Sequence, residues 1–182
     1  MKWYLGLVLA PVCGLSVMTA LAQDHTPAPG GKGASEKPRS SAISPAQLEK
    51  DFFAVVRSGD DKKFLTYVSE GGMNVGREAQ HLSHAEVADQ LAQHTRLYCK
   101  LFDSSCIQSE IKLDQSNVRA CSYRELLTGS KDVRTAATET TRNGVRQAIL
   151  VARIKNDSCA GVGLVDFIFN LQSDGWKLFS IP

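Results

Sequence analysis

Two long hairpins at the C-terminal end constrain this chain more than any other feature. "VRTAATETTRNGVRQAILVARIK", residues 133–155, is two alternating runs around Asn143-Gly144. That dipeptide favours a type I′ turn because both residues accept positive φ. "GVGLVDFIFNLQSDGWKLFSIP", residues 161–182, repeats the pattern around Asp174-Gly175. Two-residue turns set the register. In the first hairpin Val133, Ala137, Ala148, Leu150 and Ile154 share a face, and Arg134 meets Arg153 on the other. In the second, Leu171 faces Leu178 and Phe169 faces Ser180 on the apolar side. Gln172–Lys177, Asn170–Phe179 and Ile168–Ile181 form a mixed side. A sheet with one apolar face needs a covering layer.

Helix signals upstream supply that layer. Ser44-Pro45-Ala46-Gln47 is an N-cap, a first-turn proline and a Gln at N3, with Ile43 and Leu48 placed for a hydrophobic staple. Leu48, Phe52, Val55 and Val56 form its stripe, and Gly59 stops it. "DDKKFLTYVSEGG" reads as a second, shorter helix that carries Phe64, Leu65, Tyr67 and Val68. Ser83-His84-Ala85-Glu86 is another capping box, after which Val87, Leu91, His94 and Tyr98 recur at helical spacing. Cys99 then falls at the end of this third helix. A fourth helix is expected at "SYRELLTG", capped by Ser122 with Glu125 at N3. Helices followed by an antiparallel meander make an α+β domain.

The N-terminus bears on compartment. Lys2 precedes an uncharged run from Trp3 to Leu21, and Ala20-Leu21-Ala22 is an A-x-A cleavage signal. The run is just long enough to span a bilayer, but Pro11, Gly14 and the small-residue exit favour a cleaved signal peptide, residues 1–22. Ala-Pro-Val before Cys13 is a poor lipid-attachment context. Cleavage removes Lys2 and takes the net charge from +2 to +1, which offers nothing to nucleic acid or to an anionic membrane. No stable membrane insertion is expected after cleavage. Residues 23–43, rich in Pro, Gly and Ser, read as a disordered linker, and residues 44–182 as one domain. Exact trimming would expose Gln23-Asp24-His25, which resembles amino-terminal copper and nickel motifs. Cyclisation of Gln23 would remove the amine ligand.

Four cysteines remain: Cys99, Cys106, Cys121 and Cys159. An even number in an exported chain reads as disulfides, and four allow three pairings. The short loop favours Cys99–Cys106, which leaves Cys121 for Cys159. The periplasm or the extracellular space is the expected location.

The element order resembles the nuclear transport factor two-like superfamily, also called cystatin-like. In it, helices, a short strand (here "MNVG", residues 73–76) and another helix precede a long curved antiparallel sheet, a cone-like fold. "VDFIFNLQSDGWKLFSIP" resembles its last two strands, where Asp-Gly-Trp-Lys turns are common. The resemblance spans residues 44–182 but not 97–130, which reads as an insertion with few apolar residues of its own, braced by disulfides. The superfamily holds isomerases, dehydratases, hydrolases and non-catalytic binding modules, and its catalytic residues differ between branches. The resemblance therefore implies fold and assigns no residue a role.

Polar residues on apolar stripes are the candidates for a site. They are His94, Tyr67, Asp166 and Glu139. A His–Asp pair in a dry pocket moves protons, with tyrosine as donor. The structural alternative is that His94 satisfies a helix C-terminus and Asp166 faces solvent. His81 and His84 have no closing third ligand, and the cysteines lack C-x₂-C spacing, so no metal is expected. G-x-S-x-G, P-loop, dinucleotide and H-E-x-x-H signatures do not occur, so no cofactor is expected. Asn156-Asp157-Ser158 is a glycosylation sequon. Together these point to an exported binding or accessory module for an unknown protein or small apolar ligand. The alternative is a small-molecule lyase or isomerase with a cone pocket around His94.

Overall fold

The computed structural model describes residues 42–110, 119–159 and 163–182. Residues 1–41, with the expected signal, the Gln23-Asp24-His25 motif and the expected linker up to residue 41, lie outside the described residues, as do 111–118 and 160–162; the last two linker residues, Ala42 and Ile43, are described and contact the domain. Helix α1 (Pro45–Ser58) begins where expected: the Ser44 side chain accepts from the Gln47 N–H, and Gly59 ends the helix at φ 74°. Ile43 does not make the expected staple. It stands 45% exposed, and its carbonyl instead accepts the indole N–H of Trp176 at 2.8 Å. Helix α2 (Asp61–Leu65) is capped by Asp60 and ends before Tyr67.

Strands β1 (Met73–Val75) and β2 (Gln80–Leu82) form a small hairpin before α3 (His84–Ala92). Gly72, at φ 87°, lies so close to Leu82 that a β-carbon there would overlap the Leu82 carbonyl oxygen. Both halves of the capping box on Ser83 and Glu86 are formed. The third helix is not continuous to Tyr98, however. It ends at Ala92, His94 takes φ 53°, and a separate α4 (Arg96–Phe102) follows. The shared spacing of Val87, Leu91, His94 and Tyr98 is thus accidental beyond Leu91. Cys99 lies inside α4, not at the end of α3. Helices α5 (Ser104–Glu110) and α6 (Tyr123–Gly129) complete the layer.

Strands β3 (Asp132–Arg142), β4 (Val145–Lys155), β5 (Leu164–Gln172) and β6 (Gly175–Ile181) build the meander. The sheet order is β2-β1-β6-β5-β4-β3. All pairings are antiparallel except β1 with β6, which is parallel, so the sheet is mixed. The first hairpin has the expected register, with Val133 opposite Ile154 and Arg134 opposite Arg153. Arg134 forms an exposed ion pair with Asp132.

The second hairpin is shifted. Gln172 pairs with Gly175, Leu171 with Trp176 and Phe169 with Leu178. Ser173 and Asp174 make the turn, and Gly175 follows it at φ 121°, because serine and aspartate suit a type I turn followed by glycine. A bulge between Ile168 and Phe169 then sets Ile168 against Ser180. The extra residue reverses the side-chain phase. Phe179 is turned out, while Ile181, expected on the mixed side, is fully buried.

The inner sheet face and the helices share one core. Phe52 is its hub, with ring centroids 5.0 Å from both Phe167 and Phe169 and 5.4 Å from Tyr67. Edge-to-face aromatic contacts of this kind add to the burial of area. Residues 97–130 are not poor in core side chains. Leu97, Leu101, Phe102, Tyr123, Leu126 and Leu127 are all buried in the same cluster. The two disulfides join Cys99 to Cys106 and Cys121 to Cys159. Among the described residues no helix is long and apolar enough to cross a membrane.

Candidate functional site

The four residues singled out in the sequence occupy separate places. His94 sits at the α3–α4 break, exposed, with its ring stacked on Tyr98 at 4.0 Å. Tyr67 follows α2 with its ring against Phe52 and Phe169. Burial pushes its hydroxyl up, with Asp51 adding to the effect. Asp166 lies on the outer sheet face opposite Val151. Glu139, near the β3 turn, is ion-paired with Arg146 at 2.6 Å. Among the described residues no hydrogen bond, ion pair or ring contact joins any two of the four. His81 Nδ1 lies 3.3 Å from Asn74 Oδ1, and His84 is the first residue of α3.

Space opens elsewhere. A cavity of about 400 Å³ lies between the β1–β2 hairpin and the helices of the 97–130 segment, within the usual range for small-molecule sites. Val75 and Leu82 form one wall, fixed by the close approach of Gly72 to Leu82. Leu97, Ile107 and Ala120 line the others, with Tyr123 and both Cys99 and Cys121. Gln90 on α3 bridges the helix break, its side-chain oxygen accepting the Leu97 N–H at 3.1 Å. That bond stands where a continuous helix would have had its own ladder, and it orients α4 so that Arg96 and Lys100 reach the cavity.

The far wall is held by polar contacts and by the second disulfide. Glu125 caps nothing with its own side chain. It accepts instead from Arg119 through both oxygens and from the Ser104 hydroxyl. The Arg119 guanidinium holds the Glu125 carboxyl below the usual carboxylate range, and Ser104 adds to this. Ser104 Oγ also accepts the Ser122 N–H at 2.8 Å. The Arg119 N–H donates to the Ser158 carbonyl at 3.3 Å, beside Cys121–Cys159. Asn156 of the sequon is engaged at both ends of its amide: its nitrogen donates to Ser130 Oγ, and its oxygen accepts the Ser158 N–H.

Charge in the cavity is one-sided. Arg96 and Lys100 line it, and no carboxylate does among the described residues. Lys100 is half-buried, and burial pushes its ammonium down. Its contact is the Tyr123 ring, 5.9 Å from the centroid, at the outer limit of a cation–π interaction. None of His94, Tyr67, Asp166 and Glu139 lines this cavity. The sequence did hold one signal for it. Arg96 and Lys100 stand four apart in "RLYCKLF", so two like charges share a face of a short, otherwise apolar helix.

No protein-family model matches the sequence, and no curated protein matches it. Solved structures of similar architecture include a five-fold substituted Rd1NTF2_05. It is 12% identical with a TM-score of 0.41, over 75% of this chain and 92% of its own. Another, named "Rd1NTF2_04 with long sheet", is 9% identical with a TM-score of 0.39, over 76% of this chain and 97% of its own. The likeness is partial and one of architecture alone.

Proposed function

We propose that this is an exported, non-catalytic binding module that takes a small, largely apolar ligand in the cavity beside its disulfide-braced segment. One observation carries the reading: the space between helices and sheet is filled by Phe52, Phe64, Phe167 and Phe169, all fully buried, while open volume lies against α4 and the β1–β2 hairpin. A lyase or isomerase would need converging acid and base groups, and the four candidates stand apart. Two disulfides are consistent with an oxidising compartment and, with the N-terminal A-x-A signal, favour export.

Titration with the neutral apolar dye Nile red tests the cavity. Saturable fluorescence gain is expected, and it should be lost in Ala120→Trp and in Ile107→Trp, each of which fills a wall. Thermal midpoints check that the variants fold. No saturable gain, or equal gain in folded variants, would overturn the reading.

A further inference from the structure

We propose that the ligand is an amphiphilic anion, with one acidic headgroup held between Lys100 and Arg96 and an apolar chain lying among Leu82, Leu97 and Ile107. The inference rests on the binding reading above and adds the chemical class of the ligand. Three observations lead to it. Both cations reach one cavity, and no described carboxylate lines it. Among the described residues Lys100 makes no hydrogen bond and no ion pair, and its ammonium lies 5.9 Å from the Tyr123 ring centroid, which leaves its three N–H donors open to a ligand. The remaining walls are mostly apolar, with Gln80 and Gln90 as their uncharged polar side chains and the Gln90 oxygen accepting the Leu97 N–H.

The structural alternative is a lysine that lays its stem on apolar surface and keeps its head in water. Such a lysine needs no neighbour of its own sign. Here Arg96 stands one helical turn away on α4, and like charges at this spacing repel. An anion placed between them relieves that repulsion and supplies charge-assisted hydrogen bonds, about twice as strong as neutral ones. A neutral or cationic headgroup gains neither. The cavity volume matches a small molecule with a short hydrocarbon chain and is too small for a folded partner.

Decanoate, decanol and decyltrimethylammonium share one chain and differ in headgroup charge. Their competition against bound Nile red reads the preference directly. Decanoate should bind about tenfold tighter than either of the others. Lys100→Met should remove most of that advantage and leave decanol unchanged, and Arg96→Gln should remove a smaller part. Equal binding of the three, displacement of Nile red by none of them, or an unaltered decanoate affinity in Lys100→Met would each overturn the charge assignment and leave the cavity standing. If Nile red itself fails to bind, both readings fall together.

Discussion

Tyr123 carries several jobs in one side chain. Its ring packs on Phe167 at 5.3 Å, lines the cavity and faces Lys100. Its hydroxyl donates to the Pro182 carbonyl oxygen at 2.8 Å. Burial pushes the phenol well above its ordinary value, with the Asp166 charge adding to the shift. A raised folded pKa means that stability is fully present below the unfolded value near 10 and is lost as pH climbs through the folded one. At pH 11 the loss is about 1.4 kcal/mol. Tyr123→Phe should therefore be about 1 kcal/mol less stable at pH 8, through the lost hydrogen bond, and the two urea curves should converge by pH 11. Tyr67 contributes a loss of the same sign to both proteins. Lys100 contributes the opposite sign, because its depressed folded pKa is a cost relieved as pH approaches the unfolded value. The difference between wild type and variant isolates Tyr123, and parallel curves would refute its role.

At the scale of elements, the two disulfides differ in what they hold. Cys99–Cys106 closes a loop with a sequence separation of 7, joining α4 to α5, and Cys121–Cys159 spans 38, joining the approach to α6 with the turn that follows β4. On the chain-entropy model the first contributes about 2.5 kcal/mol and the second about 4. The double variant Cys121→Ala/Cys159→Ala should accordingly lose more stability than Cys99→Ala/Cys106→Ala, read as denaturant midpoints. The reverse order would mean that the short clip at the cavity wall matters more than loop entropy allows. This pairing is legible in the sequence because closure of a short loop is a local property. The break between α3 and α4 is not, because Gln90 holds that break through a bond to Leu97. Nor is the turn of the second hairpin, where Ser173-Asp174 competes with Asp174-Gly175 for the turn positions and the bulge restores an apolar partner for the core in Ile181.

For the whole molecule, the N-terminal edge of the folded unit is set by a contact with the far end of the chain. Trp176 is buried, and its indole N–H has the Ile43 carbonyl as acceptor. Ala42 packs against the core beside it. A chain beginning at residue 40 should match the thermal midpoint of one beginning at 23. One beginning at Ser44 should lose about 1–3 kcal/mol, because the indole N–H is left buried without its partner. Equal midpoints for starts at 40 and 44 would show the bond to be idle. A large loss between 23 and 40 would show that the tail packs on the domain.

The sequence by itself determined what depends on a few neighbouring residues. The N-cap at Ser44, the capping box at Ser83, the Asn143-Gly144 turn with its register, and the α+β order all follow from local geometry and side-chain period. Tertiary structure alone decided the rest. Leu97, Leu101 and Phe102 look sparse along the chain but enter the core because α4 meets α6 and the inner face of the helix layer. His94, Tyr67, Asp166 and Glu139 were plausible partners in one dimension, yet the sheet and the helix break carry them to different places. The cavity had no linear signature beyond Arg96 and Lys100. It is bounded by Val75, Leu82, Leu97 and Tyr123, which lie on four separate elements, and a void is defined by what packing leaves unfilled between elements, a quantity no local pattern contains.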